Sequence, residues 1–133
     1  MLSAVADTHT AIWYLFASPL LSKAAKNAIE KAAEEGLNVG ISAISLAEIV
    51  YLIEKQRIAP ETLKRLIATM ANPDGVLVEV PLDSHIVELM FKIPRSDVPD
   101  LPDRVVAATG LRFAVPVITR DERIHAANLN TIW

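Results

Sequence analysis

Four carboxylates stand where the hydrophobic pattern leaves little room for charge. Asp7 closes the apolar run Leu2 to Ala6 and opens Thr-His-Thr, and Glu48 is the only charged residue between Asn38 and Ile53. Asp103 follows a proline-rich stretch, and Asp121 comes three residues after the apolar run ending at Ile118. An unpaired buried carboxylate is costly, so such residues need partners. Carboxylates without cysteine and without a histidine cluster suit a hard, oxygen-preferring ion, Mg²⁺ or Mn²⁺, and argue against zinc. Held by one or two carboxylates, such an ion keeps waters, one of which can attack a phosphate that the ion neutralises. In that arrangement Asp7 and Asp121 are the expected direct ligands. Glu48 and Asp103 bind through water or orient the attacking water.

Each acid also has a plainer use at a helix end. Asp7 is a good N-cap, and Ser45 with Glu48 has the S-x-x-E spacing of a capping box. Asp103 and Asp121 complement a helix macrodipole, and Asp100 reads as the cap of the helix that carries Asp103.

The elements that would position these side chains alternate along the chain. Strands are expected at Leu2 to Ala6, Asn38 to Ser42, Val76 to Val80 and Val115 to Ile118, with a short fifth at Thr131 to Trp133. Between them the pattern predicts helices at Thr8 to Phe16, Lys23 to Glu35 (capped by Ser22, ended by Gly36) and Ala43 to Ile53. A further helix has Pro60 in its first turn and runs to Ala71, followed by the turn Asn72-Pro73-Asp74-Gly75. The last two are Ser84 to Lys92, capped by Asp83, and Asp103 to Leu111. Short apolar strands separated by helices predict an α/β fold, a parallel sheet covered on both faces, within one domain over residues 1–133. Ligands of such sheets bind beyond the carboxyl ends of the strands, and all four acids fall at or near those ends.

Composition bounds the rest. The 133 residues are 52% hydrophobic and 22% charged, which describes a compact globular chain and excludes a disordered one. The uncharged window Leu37 to Ala47 is too short to span a bilayer, and the first residues lack the basic flank and long apolar core of a secretory leader. With no cysteine there is no disulfide framework, so a cytoplasmic protein is expected. A net charge of -3 excludes a general nucleic-acid binder; any such contact must come from a local basic patch.

The segments "VADTHTAIWYL", "ISAISLAEI", "DLPDRVVAATG" and "VITRDERI", in this order and followed by "NTIW", resemble the motifs of PIN-domain ribonucleases, specifically the VapC-type toxins of toxin–antitoxin pairs. The resemblance covers nearly the whole chain. It implies a three-layer Rossmann-like fold with sheet order 3-2-1-4-5 and an acidic site of Asp7, Glu48, Asp103 and Asp121. It also implies Mg²⁺- or Mn²⁺-dependent hydrolysis of RNA, a cognate antitoxin as partner, and a homodimer. Thr119 matches the hydroxyl residue that the family carries before its last acid. The stretch Pro94 to Pro102 departs from the family, lacking the His-Arg often found before its Asp-Pro segment.

Among the basic residues, Arg104 and Arg120 adjoin the last two acids and are candidate RNA phosphate contacts, with Arg112 and Arg123 nearby. His9 is a candidate contact to RNA or to the acids, whereas His85 and His125 carry no signal. Trp13, Tyr14 and Phe16, at helical spacing, are assigned to the core or a dimer surface ahead of the alternative, base-stacking platforms. Two other readings compete. Asp7-Thr8-His9 is similar to the start of a haloacid-dehalogenase-like phosphotransferase, but His9 stands where that family has its second aspartate. The other is a non-catalytic α/β interaction module whose acids only cap helices.

Overall fold

A computed structural model describes residues 1–133. Five strands, β1 (Leu2–Ala6), β2 (Asn38–Ser42), β3 (Leu77–Val80), β4 (Val117–Ile118) and β5 (Thr131–Ile132), form one sheet in the order β3-β2-β1-β4-β5. Every neighbouring pair is parallel. The chain steps outward from β1 to β3 and then returns to lay β4 on the other side of β1. The order of the sheet therefore reverses between β1 and β4, where open α/β sheets leave a crevice at the strands' carboxyl ends.

Seven helices cover the faces: α1 (Thr8–Leu15), α2 (Lys23–Glu34), α3 (Ala43–Glu54), α4 (Thr62–Ala71), α5 (Ser84–Leu89), α6 (Leu101–Phe113) and α7 (Glu122–Ala126). Alternation along the strands separates two cores. Ala4, Ala6, Val39, Ile41 and Leu77 face a cluster completed by Ile12, Ile29, Ile49 and Leu66 from α1 to α4. Val5 and Val117 point the other way, onto Val106 of α6. Beside them Ile86, Ile93, Val98 and Val105 pack α5 and the following loop against α6. No helix is long and apolar enough to cross a membrane.

The structure corrects several predicted boundaries. Helix α6 begins at Leu101, two residues before the expected start, because Pro102 falls in the first turn, where no helical N–H partner is needed. It runs to Phe113 and stops at Ala114, whose φ of 54° is left-handed. Pro60 is not in the first turn of α4 but two residues before it, and the Thr62 hydroxyl donates to the Ala59 carbonyl there at 2.7 Å. Residues Met90–Lys92, expected as helix, form a tighter 3-10 turn. Helix α7 was not expected at all.

Glycine is required at one packing contact close to the site. A Cβ on Gly110 would stand 2.8 Å from Val117 Cγ2 and 3.2 Å from the Val115 carbonyl oxygen, so its absence lets α6 lie directly on β4. Gly110→Ala is therefore expected to destabilise the protein by about 1–3 kcal/mol despite alanine's better helix propensity. Chemical denaturation of the two proteins checks this; an unchanged midpoint would show that α6 and β4 have room to separate.

Candidate active site

Asp7 follows β1 directly and is buried. Its Oδ1 caps α1 by accepting from the Thr10 N–H at 2.8 Å, and its Oδ2 accepts from the Thr119 hydroxyl. Thr119 follows β4, is buried, and its hydroxyl oxygen also accepts from the Asp121 N–H at 3.0 Å. One hydroxyl thus links the ends of the two central strands and sets Asp7 against Asp121. Asp121 in turn caps α7, its Oδ1 accepting from Arg123 N–H at 2.8 Å and Ile124 N–H at 3.2 Å.

Asp103 enters from α6. Asp100 is the cap, as the sequence predicts, with Oδ2 accepting from the Asp103 N–H at 3.2 Å. The Asp103 carboxylate itself is half-buried. Burial raises its pKa from 3.8 to about 7, reinforced by the charges of Asp100, Asp121, Glu48 and Asp7 in that order. The cleft is lined by Asp7, Asp103 and Asp121 together with His9, Trp13 and Arg120.

Glu48 stands behind this group rather than on its wall. The capping-box reading with Ser45 does not hold: Ser42 caps α3, accepting from Ile44 N–H at 3.2 Å. The Thr8 hydroxyl instead lies 2.5 Å from Glu48 Oε1 and 2.9 Å from Ser45 Oγ, and its single proton goes to the carboxylate. Thr8 joins α1 to α3 across 40 residues of sequence.

Arg104 was expected at phosphate, and the structure gives it another task. Its Nη2 donates to the Met90 carbonyl at 2.8 Å and its Nε to the Ile93 carbonyl at 3.1 Å. Together with buried Ile93 and Val98 this pins the proline-rich segment that departs from the family pattern. His125, passed over in the sequence, ties α7 to two strands: Nε2 lies 2.7 Å from the Thr119 carbonyl oxygen, and Nδ1 lies 2.7 Å from the Thr131 hydroxyl. The neutral tautomer with Nε2–H satisfies both, donating to the carbonyl and accepting from the hydroxyl.

The carboxylates have no cationic partner. The ion pairs of the structure are Lys26 with Glu30 and Lys31 with Glu35, both on the exposed face of α2. No three acid or histidine side chains close on one point as a finished ion cage. The donor set is nonetheless all oxygen, and a cation of the Mg²⁺ type keeps several waters and needs only one or two protein carboxylates. A half-buried carboxylate pushed up to about 7 by burial, and further by the neighbouring acids, is an environment that such a cation relieves, so the residues fit it.

Fold and site define an open-sheet α/β protein with an acidic cleft where the strand order reverses. The chain belongs to the PIN-domain family, which matches residues 4–129. It is similar to Ribonuclease VapC22 of Mycobacterium tuberculosis (strain ATCC 25618 / H37Rv), 26% identical over 126 residues that cover 95% of this chain and 92% of that protein. Among solved structures, VapBC2 from Rickettsia felis bound to a DNA fragment from their promoter superposes with a TM-score of 0.70 at 14% identity, covering 98% of this chain and 97% of that one. A toxin–antitoxin complex from Klebsiella pneumoniae gives 0.66 at 22% identity, with coverage of 98% and 97%. At such identities the structural likeness establishes the fold, including the expected 3-2-1-4-5 order.

The Asp103 environment has a direct consequence for stability. Between 3.8 and about 7 the folded protein holds a proton that the unfolded chain has released, so metal-free protein loses stability as pH rises through that window. The effect is about 1–2 kcal/mol once solvent screening of a half-exposed carboxyl is allowed for. Asp103→Asn is expected to melt above the wild type at about pH 8 in EDTA, with the two curves converging toward about pH 4. Parallel thermal melts across that range measure it, and a constant difference between the proteins would contradict the assignment.

Proposed function

We propose that this protein is a metal-dependent endoribonuclease, the toxin of a toxin–antitoxin pair, acting in the cytoplasm. The observation that carries the reading is the cluster of carboxylates without cationic partners at the reversal point of a PIN-family sheet. The named ribonuclease relative and the toxin–antitoxin complexes among the similar folds support it.

Asp7 and Asp121 would hold the cation, Mg²⁺ or Mn²⁺, with Thr119 fixing the orientation of Asp7. When bound, such a cation supplies neutralisation of phosphate charge and an activated water for in-line attack on the phosphodiester. Asp103, on the cleft wall, would orient that water and take its proton, and Glu48, set back from the lining, would act on it through a further water. Arg120 and His9, both exposed on the cleft wall, face the approaching RNA.

The competing readings fare worse on particular residues. A haloacid-dehalogenase-like site needs a second aspartate and a lysine; His9 occupies the first place and no lysine lines the cleft. Helix capping accounts for one oxygen each of Asp7 and Asp121, but caps nothing with Asp103, whose environment is unfavourable to charge.

Large apolar side chains lie exposed, among them Val50 and Tyr51 on α3, Ile67 on α4, Phe91 in the 3-10 turn after α5, and Leu101 and Phe113 at the two ends of α6. Exposed apolar surface of this kind marks association sites. A homodimer and an antitoxin segment lying in an apolar groove are the partners that fit it.

Asp7→Asn tests the site, because asparagine keeps the helix cap and removes one charge. Metal-dependent RNA cleavage is expected to vanish while the metal-free variant melts no lower than the wild type. Adding Mn²⁺ is expected to raise the wild-type melting temperature more than that of the variant. A variant that still cleaves RNA would place Asp7 outside the active site. For the assembly, light scattering at micromolar concentration is expected to return twice the mass of the 14.5 kDa chain; a monomeric mass would overturn the dimer.

A further inference from the structure

Three residues of the acidic cleft's lining, His9, Trp13 and Arg120, are not acids. Trp13 is their centre: the indole centroid lies 5.6 Å from the His9 ring and 5.8 Å from the Trp133 ring, at interplanar angles of 48° and 56°. The guanidinium carbon of Arg120 stands over the same indole, 4.8 Å from its centroid. The expectation that Trp13 serves the core is met only in part. It packs against the core beneath α1, yet it remains half-buried and lines the cleft beside Asp7, Asp103 and Asp121.

Arg120 is the informative member of this group. It is exposed, adjoins Asp121 in sequence and shares a cleft with three carboxylates, but forms an ion pair with none of them. It lies on the indole instead. A guanidinium held over an aromatic ring can share that surface with another planar group and offers N–H donors to a phosphate oxygen. Trp13, packed against the core cluster and beside Trp133, is the base of that pair. Planar groups and an edge of donors, set next to acids that act on a phosphodiester, match a nucleotide whose base is free to stack.

We infer that Trp13 and Arg120 form a base-stacking subsite: an unpaired nucleobase next to the scissile phosphate extends the indole–guanidinium stack, and Arg120 contacts that nucleotide's phosphate. The description of the phosphate as scissile rests on the ribonuclease reading above; the stacking itself does not. A base inside a duplex has both faces covered by its neighbours and cannot enter, so the subsite selects single-stranded segments.

The test uses the full chain with Mg²⁺ and a fluorescently labelled single-stranded 2′-O-methyl RNA, read by anisotropy, with probe integrity checked on a gel after each titration. The same strand is also offered as a duplex and as a set in which each position in turn is abasic. The wild type is expected to bind the single strand at least about tenfold more tightly than the duplex, and to lose roughly 5- to 100-fold affinity at one abasic position, the range for one stacked base. Arg120→Ala, a change at an exposed side chain that leaves the core intact, is expected to weaken binding of the intact probe and to abolish the abasic penalty. Trp13→Leu is expected to do the same, and Arg120→Ala decides alone if that variant does not fold. A flat abasic scan in the wild type, or a penalty that survives in Arg120→Ala, would overturn the subsite. Cleavage of unmodified RNA in Mn²⁺ is scored separately: intact RNA there would remove the ribonuclease reading and leave the abasic scan to decide the stacking.

Discussion

The burial of carboxylates beside one another is the constraint around which this structure is arranged. Asp103, half-buried and facing the charges of Asp100, Asp121, Glu48 and Asp7, keeps its proton to about pH 7. No arginine or lysine neutralises the group. What holds it is neutral hydrogen bonding from helix ends and hydroxyls: Thr10 N–H and Thr119 Oγ1 to Asp7, Arg123 and Ile124 N–H to Asp121, and Thr8 Oγ1 to Glu48. Backbone N–H groups at helix N-termini carry partial positive charge and tolerate carboxylates there without consuming their full charge. A salt bridge in the same place would have stabilised the fold and disabled the cleft.

Capping and site chemistry are therefore not rival explanations of the same aspartates. Asp7 gives one oxygen to α1 and the other to Thr119, and Asp121 gives one oxygen to α7. A cap fixes the rotamer of a carboxylate as effectively as a dedicated second residue would. The cost is that a substitution at either position has a structural component as well as a chemical one, which is why asparagine, a comparable cap, separates the two.

Much of this was legible in the sequence, for reasons that differ by element. The strands are short apolar runs ended by Asp7, Ser42 or a turn, so their existence and order along the chain could be read; their parallel pairing followed from the helices between them. Asp7, Glu48, Asp103 and Asp121 stood out because each interrupts or terminates apolar sequence. Helix α7 did not, since five residues, Glu-Arg-Ile-His-Ala, are too few to show a period. The roles of Arg104 and His125 were beyond reading because their partners are largely backbone carbonyls, which no sequence pattern distinguishes. The Thr8 to Glu48 bond spans 40 residues and depends on how α1 and α3 pack, a tertiary fact. Trp13 was read from its helical spacing as core or dimer surface ahead of a base-stacking platform, whereas its position relative to Arg120 is set by β4, more than 100 residues later.

The placement of β1 at the centre of the sheet bears on how the protein comes into being. Its first neighbour, β2, starts at Asn38, but its second, β4, starts only at Val117, after β3 has been made. Thr119 and Asp121 arrive with it, and the bond from Thr119 to Asp7 bridges 112 residues. A nascent chain can therefore pair three strands while its acidic cleft is still missing one wall and the hydroxyl that orients Asp7. On the ribosome, surrounded by RNA, the growing polypeptide carries its carboxylates unassembled until the last strands close the sheet.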